Sequence, residues 1–317
     1  MALAPLALTP GMGIGPEVSL RALREDPHPV VLIGRASAIW AANRALGLPL
    51  QQVGHESEAE SGRIPVIDAD DGAEAAEVSA LRVAVAGCQS GRFSALVTGP
   101  IHKKRLRERG FAYNGHTDFL GHLLGAEREV MAFVGGSLRV ALVTTHIPLS
   151  AVPAALRVDD IERVVRVAHA ALVDDLGLTA PRIYLCGVNP HAGEEGLLGD
   201  EELRIIGPAA DALRAEGYPL IGPVSAETAF LEGRAGRADL IVAMYHDQGL
   251  APLKAVDFGR SVNWTLGLPI LRTSVDHGTA DALVGTGLAD PASMRAALSL
   301  AAKIVSRRAA GAGARMR

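Results

Sequence analysis

Short apolar segments alternate with longer amphipathic stretches along almost the whole chain, which predicts a parallel β-sheet covered by helices. The apolar segments are rich in valine, isoleucine and leucine without polar alternation, as in strands that are buried on both faces. The predicted strands are 5–9, 30–33, 64–67, 95–98, 131–134, 140–145, 183–186, 240–244 and 262–266. The pattern therefore favours the α/β fold class.

Two amphipathic stretches are predicted as helices. Residues 159–176 place apolar side chains on one face at helical spacing, namely Ile161, Val164, Val165, Ala168, Ala171 and Leu172. Residues 289–306 predict a closing helix, with Asp290 as its N-cap and Pro291 at its first position. The sequence AAGAGARMR that follows has no apolar periodicity and predicts a frayed tail.

Composition narrows the class of protein. At about 150 residues per domain, a chain of 317 residues is long enough for two domains. The net charge of −4 gives no basic excess for nucleic acid or an anionic membrane, and no apolar run approaches a membrane span. The first ten residues lack Lys and Arg, unlike a signal peptide, so a cytoplasmic protein is expected. Cys88 and Cys186 are too few for a disulfide framework or a cysteine zinc site.

Three of the ten histidines share a position that the others lack. His146, His191 and His246 each lie just beyond a predicted parallel strand, where α/β sheets bind ligands. Three neutral imidazoles with an open position are typical of catalytic zinc, and cobalt, nickel or manganese would also fit. Alternatively, each histidine could cap its strand by bonding a loop carbonyl. The sequence leaves both interpretations open.

A second group of residues has the chemistry of an anion site. Lys254, Asn263 and Arg272 surround the predicted strand 262–266. His116 and Thr117 open a predicted helix whose N-terminal amides could hold a phosphate or carboxylate. The alternative for Lys254 and Arg272 is a solvated surface pair.

Two glycine-rich loops each follow a strand. In the first, GMGIGP at 11–16, Pro16 occupies the place where the G-x-G-x-x-G fingerprint needs its last glycine. The second, DHGTA at 276–280, could lie against a nucleotide. Either loop alone could equally be a tight turn between a strand and a helix.

Several motifs together resemble one known family. They are TGPIHKK (98–104), GHTDFL (115–120), TTHIPL (144–149), NPHAGEEG (189–196), AMYHDQGLAPLK (243–254) and FGRSVNWTLGLPILRTSVDHGTA (258–280). In this order they closely resemble the 4-hydroxythreonine-4-phosphate dehydrogenase family of vitamin B6 biosynthesis.

The resemblance implies a homodimer of two-domain α/β/α subunits, related in fold to isopropylmalate and isocitrate dehydrogenases. It places the active site at the interdomain cleft and the dimer interface, with domains of 1–125 plus 275–317 and of 126–274. By matching motif, the metal ligands are His146, His191 and His246, and the substrate-binding residues are His116, Thr117, Lys254, Asn263 and Arg272. The DHGTA loop resembles an adenosine-binding turn, which makes the cofactor candidates His277, Gly278 and Thr279.

The implied activity is oxidation of 4-phosphooxy-L-threonine by NAD or NADP, followed by decarboxylation to 3-amino-2-oxopropyl phosphate. A divalent Zn, Co, Mn or Mg ion would ease loss of the hydroxyl proton. Three alternatives remain open. They are a sister enzyme that oxidises threonate or erythronate 4-phosphate, a three-histidine metallohydrolase or lyase without nicotinamide, and a non-catalytic metal- or phosphate-binding protein.

The chain departs from the family's pattern at a few positions. The first glycine loop is shorter, and Ala282 stands where the family has Asp, with the acidic residue one place earlier at Asp281. Asp118 replaces the common Glu, and Glu227 replaces the common Asp. These departures concern cofactor and substrate detail, because a methylene of reach can change the placement of a reacting group.

Overall fold

The computed structural model describes residues 3–126, 129–257 and 259–315. Phe258, the first residue of the longest motif, and the tail residues Met316 and Arg317 lie outside these ranges. The chain divides into two compact units, here called unit 1 (Met1–Glu129 with Leu268–Arg317) and unit 2 (Val130–Gly267). Arg272 belongs to unit 1, whereas the expected boundary at 274 grouped it with the second domain.

The structure contains strands and helices in alternation, and the predicted α/β fold class is confirmed. The strands are β1 (Leu6–Thr9), β2 (Val30–Gly34), β3 (Leu50–Gln52), β4 (Ile64–Asp68), β5 (Leu96–Thr98), β6 (Val130–Gly135), β7 (Leu138–Leu142), β8 (Ile183–Cys186), β9 (Leu220–Val224), β10 (Leu240–Ala243), β11 (Val262–Leu266) and β12 (Arg272–Val275). The helices are α1 (Gly15–Glu25), α2 (Ala36–Asn43), α3 (Ala76–Gln89), α4 (Lys103–Glu108), α5 (His116–Leu124), α6 (Val152–Ala155), α7 (Val158–Asp174), α8 (Gly207–Ala215), α9 (Ala226–Arg234), α10 (His246–Asp257) and α11 (Ala292–Arg315).

Unit 1 is built on six parallel strands in the order β3-β4-β2-β1-β5-β12. Its central strands are entirely buried, as their continuous apolar sequence predicts. Helix α3 packs on β1, β2 and β5. An aromatic cluster of Phe111, Tyr113 and Phe119, with ring centroids 5.1–5.4 Å apart, anchors α5. This packing fixes the start of α5, where two predicted substrate residues lie.

Unit 2 has the strand order β11-β6-β7-β10-β8-β9. The four strands β7, β10, β8 and β9 are parallel, but β6 runs antiparallel to both β7 and β11. The expectation of a parallel sheet throughout is therefore wrong here. The cause is the Gly136-Ser137 turn, with Gly136 at φ +49°, because a two-residue turn joins antiparallel neighbours.

Three strands were not predicted, and each has a local reason. β3 is three residues long and has two glutamines. β9 contains Gly222 and Pro223, residues that strands accept mainly at sheet edges, and it is the last strand of unit 2. β12 begins with a buried arginine and carries Thr273 and Ser274. Its polar sequence reflects the site that it builds.

The predicted helix 159–176 is confirmed as α7, with five of its six predicted apolar residues buried. The closing helix is confirmed as α11, and the side chain of Asp290 accepts a hydrogen bond from the Ala292 amide at its start. The frayed tail is wrong for residues 309–315, which continue α11. Within the described residues, no helix is long and apolar enough to cross a membrane.

Candidate active site

The histidines His146, His191 and His246 lie in unit 2, beyond the carboxyl ends of three neighbouring strands. β10 pairs in parallel with β7 on one side and with β8 on the other. His146 follows β7, His246 follows β10 and begins α10, and His191 follows β8. The predicted placement beyond parallel strands is confirmed. Side chains in such positions share the sheet edge where α/β proteins bind ligands.

The structure brings two of these three imidazoles together. The ring centroids of His146 and His246 are 5.5 Å apart. Within 3–126, 129–257 and 259–315, no group of three or more His, Cys, Asp or Glu side chains is arranged to hold a metal ion. His191 is therefore not part of an assembled cluster, and the three-histidine metal site stays a prediction.

Two of the histidines are paired with carboxylates. His191 Nδ1 lies 2.7 Å from Glu194 Oε1, and His246 Nδ1 lies 2.7 Å from Asp247 Oδ1. A carboxylate at Nδ1 favours the tautomer with the proton on that nitrogen, which leaves the Nε2 lone pair to bind a metal. The hydrogen bond with Glu194 also raises the pKa of His191, with Glu227 adding a smaller effect. The chemistry of the donor set therefore fits a divalent ion.

His191 begins a left-handed turn. Five consecutive residues have positive φ, between 41° and 82°, namely His191, Ala192, Gly193, Glu194 and Glu195. This conformation costs an L-residue about 1–2 kcal/mol, so the surrounding contacts have to hold the segment. Only Gly193 adopts it without steric cost, and a Cβ there would lie 2.7 Å from a carboxylate oxygen of Glu202.

Two predicted substrate residues also lie in unit 2. Lys254 is half-buried in α10, eight residues after His246. Asn263 is half-buried in β11, and its Oδ1 is buried without a hydrogen bond to any described residue. A buried acceptor of this kind suits an N–H or O–H group of a ligand.

Unit 1 holds a buried cation at the start of β12. Arg272 is only 2% exposed, and its Nη2 donates to Thr98 Oγ1 at 2.8 Å. Thr98 Oγ1 donates in turn to Ser274 Oγ at 2.9 Å, and Ser274 Oγ lies 3.1 Å from the Thr98 carbonyl. The parallel pairing of β12 with β5 places these side chains together. Arg272 is not the solvated surface residue that the sequence left as an alternative.

His116 lies beside this guanidinium, with 3.4 Å between Arg272 Nη2 and His116 Nδ1. Burial, together with the charges of Arg272 and Lys103, lowers the pKa of His116 to about 3. Burial also lowers the pKa of Arg272 to about 9. At neutral pH the pair is therefore a neutral imidazole next to a charged guanidinium, which suits an incoming anion.

Thr117 follows His116 in the first turn of α5, whose N-terminal amides are available to an anion as predicted. Asp118, the departure noted in this motif, accepts hydrogen bonds from the Asn114 amide at 2.9 Å and from Asn114 Nδ2 at 3.3 Å. Its carboxylate therefore stabilises the entry into α5. The other exchanged carboxylate, Glu227, lies in the first turn of α9 and acts on His191 through its charge.

The DHGTA loop follows β12 directly. His277 Nδ1 lies 2.9 Å from the Gly278 carbonyl, and its Nε2 is buried without a hydrogen bond to described residues. A Cβ on Gly278 would meet nothing within 4 Å, so open space lies next to the loop. Thr279 is 9% exposed, and its carbonyl accepts from the Ile14 amide at 3.0 Å. An orphaned ring nitrogen beside open space fits a hydrogen-bonding cofactor.

The first glycine loop supports the DHGTA loop. A Cβ on Gly13, which has φ +61°, would lie 2.1 Å from the Thr279 carbonyl oxygen. The loop is thus a tight strand-to-helix turn in close backbone contact with the cofactor candidates. Asp281 forms an ion pair with Arg105 at 2.7 Å, so the displaced acidic residue is engaged with α4.

Several residues of these sites were not singled out from the sequence. Glu194 and Asp247 lie within three residues of His191 and His246 inside quoted motifs, so an acidic residue near each ligand was a usable signal. Thr98 stands in the TGP motif at the end of β5, but its contact with β12 is long-range. For Glu202, no local pattern indicates its contact with the turn.

Comparison with known proteins identifies relatives over almost the whole chain. The family model for "Pyridoxal phosphate biosynthetic protein PdxA" matches residues 25–301. A 4-hydroxythreonine-4-phosphate dehydrogenase of Azoarcus sp. (strain BH72) is 45% identical over 325 residues, which cover 97% of this chain and 98% of the relative. The enzyme of that name from Ectopseudomonas mendocina is 47% identical over 316 residues, covering 93% and 94%.

A solved structure agrees with these matches. The crystal structure of 4-hydroxythreonine-4-phosphate dehydrogenase from Klebsiella pneumoniae is similar with a TM-score of 0.83 at 38% identity, covering 96% of this chain and 98% of that one. The family resemblance of the sequence motifs is confirmed. The chain belongs to the PdxA family of pyridoxal phosphate biosynthetic proteins.

Proposed function

We propose that this dehydrogenase oxidises 4-hydroxy-L-threonine 4-phosphate with NAD or NADP, and that the oxidised acid loses carbon dioxide to give 3-amino-2-oxopropyl phosphate. The observation that carries the proposal is the set of histidines beyond three neighbouring parallel strands, with the Nε2 atoms of His191 and His246 left for a ligand. The relatives named for this reaction supply the substrate.

The residues that would hold a divalent metal are His146, His191 and His246. A divalent ion supplies Lewis acidity, which lowers the free energy needed to remove a proton from a hydroxyl group. Asp247 and Glu194 hold the imidazole tautomers that leave Nε2 for the ion. Because the hydrogen bond with Glu194 raises the pKa of His191, protons compete with the metal as pH falls.

Arg272, Lys254 and the α5 N-terminus would bind the phosphate and carboxylate of the substrate. Arg272 stays charged at neutral pH because its pKa, although lowered, is about 9. A guanidinium that is already desolvated and held by Thr98 loses little further freedom when an anion binds. An anion next to His116 would favour protonation of its ring, so the imidazole could then donate to a substrate oxygen.

The DHGTA loop would bind the adenosine end of the nicotinamide cofactor through His277, Gly278 and Thr279. The buried Nε2 of His277 supports this role, because a ligand atom would complete its hydrogen bonding.

The protein is also proposed to act as a homodimer, as the family resemblance implies. Unit 2 has exposed apolar side chains that a second copy could cover, among them Leu149 at 68%, Leu197 at 82% and Leu203 at 60% exposure. Light scattering should give about twice the subunit mass of 33.0 kDa. A fully active monomer would contradict the dimer.

A substrate panel tests the reaction. The metal-loaded enzyme is mixed with NAD or NADP and with 4-phosphooxythreonine, threonate 4-phosphate or erythronate 4-phosphate, and nicotinamide absorbance is followed. Reduction with 4-phosphooxythreonine at the highest kcat/KM supports the proposal. Preference for a sugar-acid phosphate would assign the sister activity instead. Turnover of a phosphorylated acid without cofactor reduction would indicate a hydrolase or lyase.

A further inference from the structure

We infer that Glu202 is a positioning residue that holds the left-handed turn at 191–195 and so aims His191 at the sheet edge. This inference rests on the metal site of the proposed function. It concerns a residue that touches neither a metal ligand's ring nor the strand ends themselves. The argument starts from the conformation of the turn.

The turn has no internal source of stability that matches its strain. Four of its five residues carry a Cβ and still have positive φ. Its own hydrogen bonds are few, since the Leu197 and Leu198 amides return to the carbonyls of Glu194 and Gly193 only at its end. Such a segment keeps its shape only if groups outside it hold its base.

Glu202 provides that support at the base of the turn. Its Oε1 accepts hydrogen bonds from the Val188 amide at 2.7 Å and from the Asn189 amide at 2.9 Å. Its Oε2 accepts from Asn189 Nδ2 at 2.9 Å. These two residues directly precede Pro190 and His191. One side chain thus fixes the direction in which the chain enters the turn.

The carboxylate is held in place with little freedom. Glu202 is 5% exposed, and its hydrogen bonds in the described part of the chain come from the base of the turn. A buried carboxylate needs such donors to offset the loss of hydration. Ideal Cβ atoms on Gly187 and Gly193 would lie 2.8 and 2.7 Å from its two oxygens, so both glycines make room for it.

A second side chain connects this base with the helix of His246. Gln248, in the first turn of α10, accepts a hydrogen bond from the Met244 amide at 2.6 Å and donates to the Gly187 carbonyl at 2.6 Å. It therefore joins the carboxyl end of β10 to that of β8. Glu202 and Gln248 together set the position of His191 relative to His246, all within unit 2.

Glu202→Gln tests the inference, because it keeps the size of the side chain but turns one acceptor into a donor facing Asn189 Nδ2. Asp200→Asn is the matched control, since Asp200 is exposed and pairs only with Arg204 among the described residues, at 2.7 and 2.8 Å. Cobalt(II) is titrated into the metal-free proteins and its visible absorption spectrum is recorded. Amide hydrogen exchange of Val188 and Asn189 is measured in parallel.

We expect Glu202→Gln to bind cobalt about 10- to 100-fold more weakly with an altered spectrum, as for other groups that orient metal ligands. Amide exchange at Val188 and Asn189 should become faster, and Asp200→Asn should match wild type. Faster exchange with unchanged cobalt binding and spectrum would show a structural role only and overturn the inference. If Glu202→Gln does not fold, Asn189→Ala removes the same Oε2 contact from the other side and is judged by the same outcomes.

The experiment also separates this inference from the proposed metal site. His191→Ala is measured alongside. If wild type binds cobalt no better than His191→Ala, the metal site itself is wrong and the positioning role falls with it. If wild type binds cobalt and His191→Ala does not, but Glu202→Gln behaves as wild type, only the role of Glu202 is overturned.

Discussion

The two units present their functional side chains in opposite ways. In unit 1, Arg272 is 2% exposed and is held by Thr98 in a chain of hydroxyl hydrogen bonds. In unit 2, the side chains of His191 and His246 are 64% and 37% exposed, and each is oriented by a neighbouring carboxylate. A buried cation is preorganised for an anion, whereas an exposed imidazole with a fixed tautomer offers a lone pair to a ligand from solvent.

This contrast indicates how the same α/β framework supports two chemistries. Burial in unit 1 lowers the pKa values of Arg272 and His116, so the pocket holds one positive charge at neutral pH. Exposure in unit 2 leaves the histidines responsive to nearby acidic groups, and the pKa of His191 is raised. If the comparison is correct, substitutions in the two units should fail in different ways.

The largest effect is expected from His246→Ala, which removes an imidazole that pairs with His146 across 5.5 Å. Turnover should be abolished and cobalt binding lost, while the circular dichroism spectrum is unchanged. His169→Ala is the control, because His169 contacts Tyr218 edge-on at 4.9 Å elsewhere in unit 2. Full cobalt binding by His246→Ala would exclude this histidine as a ligand.

Arg272→Lys should give the next largest loss. The change keeps the charge but removes the planar fork, and loss of a buried charge-assisted contact costs about 2–5 kcal/mol, roughly 30- to 4,000-fold in kcat/KM. Arg63→Lys, at a 49% exposed side chain in the same unit, should have little effect. Metal binding should be normal in both variants, which distinguishes the anion pocket from the histidine site.

The wild-type enzyme should lose a similar factor when its substrate lacks the phosphate. Arg272→Lys should lose much less on that change, because part of the interaction is already missing. If the variant discriminates against the dephosphorylated compound as strongly as wild type, Arg272 does not bind the phosphate.

Asp247→Asn should have a moderate effect of about tenfold on cobalt affinity, the lower end of the range for groups that orient metal ligands. Asp247 is 83% exposed, so water can partly replace its hydrogen bond to His246 Nδ1. Isothermal titration with cobalt measures the change. An affinity equal to wild type would show that the Asp247 contact does not orient the ring.

The smallest effect concerns acid stability and His116. Its pKa is about 3 in the folded protein and 6.5 as the ordinary value, so between these pH values the unfolded chain binds a proton that the folded chain does not. Stability therefore falls as pH decreases from 6.5 towards 3, by at most about 1.4 kcal/mol per pH unit from this group.

His116→Asn should lose stability less steeply over that range, as measured by urea unfolding midpoints at pH 7 and pH 5. His55→Asn, at an exposed site in unit 1, should leave the slope unchanged. A slope for His116→Asn equal to that of wild type would mean that His116 is accessible to protons in the folded state.

Local patterns predicted much of the framework because they depend on burial alone. The doubly buried strands β1, β2 and β10, and the amphipathic helix α7, follow directly from continuous or periodic apolar residues. β12 was missed because its residues serve the Arg272 site rather than the core. The antiparallel β6 was missed because one two-residue turn decides its direction.

The candidate site divides in the same manner. The sequence by itself determined the α/β class, the position of His146, His191 and His246 beyond strands, and the motifs that identify the family. Only the tertiary structure decided the strand order that makes β7, β10 and β8 neighbours. It also decided the burial of Arg272 and the support of the 191–195 turn by Glu202. The physical reason is that these features depend on hydrogen bonds between residues distant in sequence, such as the Arg272–Thr98 contact, which no local spacing encodes.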